Sequence, residues 1–147
     1  MPFAQVDISL KPVVSREATA AGMIKLKKET VDRIRRKGLE KGDAVEIATL
    51  MAILGAKYTP DIVALTHRLG LEKVRPEVKL LDRGMEVTVT VKANAKTGVE
   101  MEALTAVAVA LLNIWDVVKQ YEKDSSGQYP NTRIESIRVV KKVKGGS

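Results

Sequence analysis

An α+β fold is predicted by three observations. Apolar and polar residues alternate, at the two-residue period of a strand, over 17–27, 74–81, 85–91 and 134–143. Between these runs lie segments of helical period, the longest being 96–119, KTGVEMEALTAVAVALLNIWDVVK. Read at about 100° per residue, this segment gathers Leu104, Val107, Leu111, Ile114, Trp115 and Val118 on one face. Turn-forming residues separate the segments, and neither an internal repeat nor a domain linker interrupts them, so 1–147 reads as one domain.

In chain order, Gln5–Ser9 precedes a first strand over 17–27, whose Ala18, Ala20, Gly22, Ile24 and Leu26 share one side. KKETVDRIRRKG follows as a short, mostly solvated helix on Val31 and Ile34, with Gly38 placed to end it. Lys41-Gly42-Asp43 is a turn with Asp43 as helix N-cap, and it opens AVEIATLMAILGAKYT, a helix apolar almost all round and therefore expected deep in the core. Thr59-Pro60-Asp61 stops that helix, and Leu65-Thr66-His67-Arg68 reads as a loop or bridging strand. The runs 74–81 and 85–91 flank Asp82-Arg83-Gly84 as an antiparallel hairpin. After the long helix, 124–132 is rich in turn residues, and 134–143 is a last strand with a basic end. The order strand, helix, helix, strand, strand, helix, strand puts helices on one face of a mostly antiparallel sheet, and a ferredoxin-like core is its natural form.

Composition narrows the function. With 147 residues, 45% hydrophobic and 29% charged, the chain has the makeup of a soluble globular domain. No apolar run approaches the roughly 20 residues a membrane helix needs, and MPFAQVDIS lacks a basic segment followed by an apolar one; a cytoplasmic protein without a membrane partner is expected. The absence of cysteine excludes disulfides, thiolate nucleophiles and cysteine zinc sites, and a single histidine excludes a multi-histidine metal site within one chain. No metal ligand set is expected; a catalytic metal such as Mg²⁺ would arrive with substrate. A net charge of +7 and a pI near 9.7 favour an anionic partner, either nucleic acid or a small phosphorylated ligand. Aromatic residues make up only 3%, too few for the stacking surfaces of many single-strand binders, which moves a small polyphosphate ahead.

Individual candidates each have an ordinary reading beside the functional one. His67 is the one side chain whose unperturbed pKa suits proton transfer near neutrality, although a lone histidine is commonly structural. Lys41 before Gly42 suits a phosphate or simply the surface. Asp116 and Lys119, at i and i+3, make an ordinary helix pair, and Glu100 and Glu102 are what the helix dipole favours at a start. Opposite the core face of the long helix lie Glu102, Thr105, Asn113, Asp116 and Gln120, an arc with few charges that suggests contact with another subunit. Glu102 and Asp116 point within about 40° of each other, but the helical rise separates them by about 21 Å. One small ligand does not reach both within a chain; an antiparallel partner helix would bring them together, so a site shared across a dimer interface is expected.

KTGVEMEALTAV, with the helix that runs on to Asp116 and Lys119, resembles the signature of the cyclic pyranopterin monophosphate synthase (MoaC) family of molybdenum cofactor biosynthesis. Val6-Asp7-Ile8-Ser9, Arg16-Glu17-Ala18, Lys41-Gly42-Asp43, Ala56-Lys57-Tyr58-Thr59, Leu65-Thr66-His67 and Lys144-Gly145-Gly146-Ser147 fall in the family's order and spacing, so the likeness covers nearly the whole chain. It implies a ferredoxin-like subunit in a homohexamer, a trimer of dimers with active sites at the dimer interface. It also implies a phosphorus–oxygen lyase that converts a cyclised dihydroguanosine triphosphate to cyclic pyranopterin monophosphate and pyrophosphate, with no resident cofactor. By position, Asp116, Lys119, Lys41 and His67 then resemble the acid, base and charge-stabilising set. Leu65, Thr66, His67, Met101 and Glu102 resemble substrate contacts, with Glu100, Arg16 and Lys57 as additions.

Three departures stand out. Ala64-Leu65-Thr66-His67-Arg68 replaces the usual Pro-Leu-Cys-His-Pro, which frees the loop backbone and sets an extra cation beside the histidine, available for a phosphate. Tyr58 replaces an arginine after Lys57, and the tail stops at Ser147 without a further lysine and glycine. Two other readings compete with the enzyme: a catalytically impaired relative serving as a ligand-binding or interaction subunit, and a nucleic-acid binder using the positive charge.

Overall fold

The computed structural model describes residues 2–145; Gly146 and Ser147, the end of the glycine-rich tail, lie outside the described residues. The elements run β1 (Val14–Lys25), α1 (Lys28–Arg35), α2 (Ala44–Lys57), α3 (Thr59–Ile62), β2 (Lys73–Leu81), β3 (Gly84–Ala95), α4 (Glu100–Glu122) and β4 (Arg133–Lys144). The strands form one antiparallel sheet in the order β2-β3-β1-β4, and α2 and α4 cover one face, which is the ferredoxin-like α+β arrangement.

Alternation becomes inside and outside as expected. Ala18, Ala20 and Ile24 of β1 and Met85, Val87, Val89, Val91 and Ala93 of β3 are buried on the helix side. The interleaved Glu17, Thr19, Thr88 and Lys92 lie on the other face of the sheet. In α4, Val107, Leu111, Ile114 and Val118 are fully buried, while Leu104 and Trp115 sit at the margin and are only half-buried. By length and composition α4 could cross a membrane, but it is the core helix of this sheet.

Several details differ from expectation. The second helix is not buried all round: its inner stripe is the small residues Ala44, Ala48, Ala52, Gly55 and Ala56, and Leu50 is 52% exposed. A helix apolar on every side gives no period from which to read the inner face, and here residue size decides it. Helix α1 is closed by Lys37, not Gly38, in the left-handed region at φ 57. Gly38 N–H then bonds Arg33 O at 2.8 Å and Lys37 N–H bonds Ile34 O at 3.0 Å, so the last carbonyls are satisfied at the cost of a strained non-glycine residue. Pro60 does not merely stop α2; it sits in the first turn of the one-turn α3.

The back of α4 is also partly covered within the chain. Thr105 and Glu102 are buried at 7% and 3% exposure, and α2 packs over Ala106 and Val109. Only the C-terminal part of that arc, with Leu112 and Asp116, remains exposed.

Candidate active site

Two groups of side chains form at opposite ends of α4. The first depends on how the chain enters α2. Gly42, at φ 123, takes a backbone conformation that a residue with a Cβ resists, and it turns the chain so that Asp43 caps the helix. Asp43 Oδ1 accepts from Val45 N–H at 2.8 Å and Glu46 N–H at 3.0 Å. The preceding turn is tied to the end of α4: Glu40 N–H donates to the Tyr121 hydroxyl at 2.8 Å, and Gln120 Nε2 donates to Glu40 Oε2 at 3.0 Å. Lys41 is thereby held over α4, with Nζ 3.3 Å from both Asp116 Oδ1 and the Asp116 carbonyl oxygen.

Lys119, one turn along the same helix, places its Nζ 3.2 Å from the same Oδ1. Two ammonium groups thus converge on one carboxylate, all three half-exposed and open to a ligand. Bonds from Lys119 and Lys41, and their charges, hold the Asp116 carboxyl below its usual range. It therefore stays ionised throughout the neutral range and loses its charge only as pH falls below the ordinary carboxylate value.

The second group surrounds His67. Thr66, His67 and Leu69 of the α3–β2 loop and Thr97, Gly98, Glu100, Met101 and Glu102 at the start of α4 line a cavity of about 60 Å³. Burial pushes the Glu102 carboxyl up from its usual value, and the nearby Glu100 charge adds to the effect. Glu100 Oε2 lies 2.7 Å from Lys142 Nζ of β4, a charge contact without the alignment of a hydrogen bond. Beside this cavity is a larger cleft, about 730 Å³, between the His67 loop and the chain leading into β1. Arg16 is buried, with Nη2 donating to Lys96 O at 3.3 Å and Nε without a partner among the described residues.

The structure therefore brings Lys41, Asp116 and Lys119 together, and separately His67, Thr66, Glu100, Met101 and Glu102. Leu65 sits on the same loop, 46% exposed. Lys57 is exposed in the last turn of α2 and enters no ion pair among the described residues. Arg68, the extra cation expected beside the histidine, is paired through Nη2 with Asp61 Oδ1. That pair ties the loop to α3 where the usual proline would have stiffened it. Sequence reasoning missed Lys142, Tyr121 and Glu40, whose roles rest on contacts more than 40 residues away along the chain and carry no local pattern. Among the described residues no three His, Asp or Glu side chains are grouped to hold a metal ion.

Lysines gathered on an aspartate, with a histidine and two glutamates at the far end of the same helix, give this α+β fold cations that suit an anionic ligand and side chains of the types that can exchange protons. The MoaC family model matches residues 5–145, and the chain belongs to that family. A protein of Sulfurisphaera tokodaii named as a probable cyclic pyranopterin monophosphate synthase is 55% identical over 95% of this chain and 92% of its own length. Proteins of the same name from Aeropyrum pernix and Sulfolobus acidocaldarius are 52% and 50% identical, each over 95% of this chain and 96% and 97% of their own lengths.

Proposed function

We propose that this chain, acting as a single catalytic domain in the cytoplasm, makes cyclic pyranopterin monophosphate from a cyclised dihydroguanosine triphosphate, a step of molybdenum cofactor biosynthesis. The observation that carries the reading is the convergence of Lys41 and Lys119 on Asp116, in a chain that shares half its residues with synthases of that name. The reaction is a phosphorus–oxygen lyase step. An internal hydroxyl attacks the α-phosphorus, the bond from that phosphorus to the pyrophosphate oxygen breaks, and the hydroxyl proton passes to a base. Negative charge builds on the leaving oxygens, where preorganised cations lower the barrier. Lys41 and Lys119 supply them, and Arg16, buried with its Nε unpartnered among the described residues, is a third donor.

Opening and rebuilding the purine-derived rings requires protons to be given and taken near neutral pH. His67 and Glu102, the latter with a raised pKa, are suited to that work, with Leu65, Thr66, Glu100, Met101 and Lys57 as contacts to the substrate. The two groups stand about 21 Å apart along α4 by helical rise. The reading that unites them is a homohexamer built from dimers, in which the lysine end of one chain faces the histidine end of another. The apolar Leu112, 60% exposed beside Asp116, supports a covered surface there.

Purified protein given the cyclised triphosphate is expected to release pyrophosphate. Lys119→Ala is expected to lower that rate by about 10²–10⁴-fold with the oligomer intact, since one charge-stabilising group is worth roughly that much. Full activity in Lys119→Ala would sink the assignment of the lysine cluster. Substrate binding without pyrophosphate release would favour a ligand-binding subunit instead.

A further inference from the structure

The motif Val6-Asp7-Ile8-Ser9 has no part in the chemistry described so far, yet the structure lays it directly on the His67 loop. Residues 2–13 form no regular element and are largely exposed; Phe3 is 91%, Val6 72% and Leu10 99% exposed. Apolar burial within the chain therefore does not fix their path. Three hydrogen bonds from side chains to backbone do. Gln5 Nε2 donates to Thr66 O at 2.7 Å, His67 Nε2 lies 2.7 Å from Val6 O, and Lys96 Nζ donates to Ser9 O at 3.3 Å. Two of the three fall on consecutive residues of the catalytic loop, and the third comes from the entry to α4. The strap is itself stiffened by Asp7, whose Oδ1 accepts from Ser9 N–H at 2.9 Å. That bond holds the Asp7 carboxyl below its usual range, with the charge of Lys96 adding, so it stays ionised in the neutral range.

The chemistry of the middle contact is one-sided. A backbone carbonyl only accepts, so a hydrogen bond between it and Nε2 requires the proton on Nε2. In the neutral ring Nδ1 then keeps the free lone pair. We propose that Gln5–Ser9 is a positioning strap for His67, in which the Val6 carbonyl fixes the ring as the Nε2–H tautomer and leaves Nδ1 to take the proton. Gln5 and Lys96 act through the strap, pinning it at Thr66 and Ser9, and neither touches substrate in this role. The strap depends on backbone atoms and so is insensitive to the side chain at position 6. This inference rests on the reading of His67 as a proton-transfer group.

The chain has a single histidine, so every imidazole signal has one owner. With ¹⁵N-labelled histidine, the full chain is expected to show an Nε2–H resonance protected from solvent exchange. A variant lacking residues 2–9 loses that protection, and Gln5→Ala raises the exchange rate about tenfold. In turnover, both variants are expected to lower kcat about tenfold while KM for the triphosphate stays within about twofold, the mark of a misplaced catalytic group rather than of lost binding. Should the shortened chain fail to fold, Gln5→Ala, a change on an exposed side chain, gives the same readings.

Unchanged exchange and tautomer in both variants would overturn the strap. So would a changed ring with unchanged kcat. A full chain that never releases pyrophosphate, yet shows the ring signal and its loss, would overturn the enzymatic reading while upholding the hold of Val6 on the histidine.

Discussion

Glu102 shows how a single side chain can carry a conflict between stability and chemistry. It is 3% exposed and its pKa is raised chiefly by burial, so the folded chain holds its proton to higher pH than the unfolded chain does. Below pH about 4 both forms are protonated and Glu102 contributes nothing. As pH climbs from the unfolded value to the raised folded one, the unfolded chain ionises first, and stability falls by about 1.4 kcal/mol per pH unit over that interval. Glu102→Gln removes the titration. Urea unfolding is expected to find the variant more stable than the parent at pH 7 and indistinguishable from it near pH 4, while pyrophosphate release drops. An equal difference at both pH values would mean that packing, not ionisation, sets the effect. No local pattern foretold this burial, because helical phase put Glu102 on the polar back of α4, and the cavity it lines is closed by the loop from residue 66 to 69 and the turn before α4, which are distant or irregular in sequence.

At the scale of elements, the lysine cluster depends on how closely α2 approaches α4. A Cβ on Gly55 would stand 2.9 Å from Val109 Cβ and 3.2 Å from the Ala106 Cα, neither of which is the yielding end of a long side chain. Gly55→Ala gains about 1 kcal/mol of helix propensity but loses about 1–3 kcal/mol to overpacking, so a net loss of stability is expected. Because Lys41 enters α2 through the Asp43 cap, a shifted α2 also carries Lys41 away from Asp116, and activity is expected to fall with the melting temperature. Adding Val109→Ala relieves the contact, and a double-mutant cycle should recover part of both losses; additive losses would show that the two positions do not press on each other. The inner face of α2 illustrates what sequence leaves undetermined. All four strands and the three longer helices were legible, since period two and period 3.6 are local consequences of burial on one side. Where α2 is apolar on every side, the pattern is silent, and the face is chosen by which residues are small enough to meet another backbone. The candidate site residues were singled out mainly through their likeness to a family. Their grouping into two clusters was legible only in part, from the rise of α4, because Lys41 and His67 reach it from distant loops.

At the scale of the molecule, a chain with its cations at one end of a 23-residue helix and its histidine at the other would, in the proposed dimer, supply half of each of two sites. Lys119→Ala is then expected to disable one half and His67→Ala the other. If the site combines both ends from different chains, a dimer containing one of each variant has one site with both defects and one with neither. Two inactive proteins, unfolded and refolded together in equal amounts, would assort at random into half mixed dimers, and about a quarter of all sites would be intact. Pyrophosphate release is therefore expected to rise from near zero in either variant to about one quarter of the parent rate in the mixture. A site contained within one chain gives no recovery at any ratio, because every chain then carries its own defect. Mixing without refolding provides the kinetic control, since recovery would then wait on subunit exchange and grow with the exposure of the dimer to dilution or mild urea. The quarter recovery would also set the direction of the partner helix, as only an antiparallel pairing brings Asp116 of one chain to Glu102 of the next.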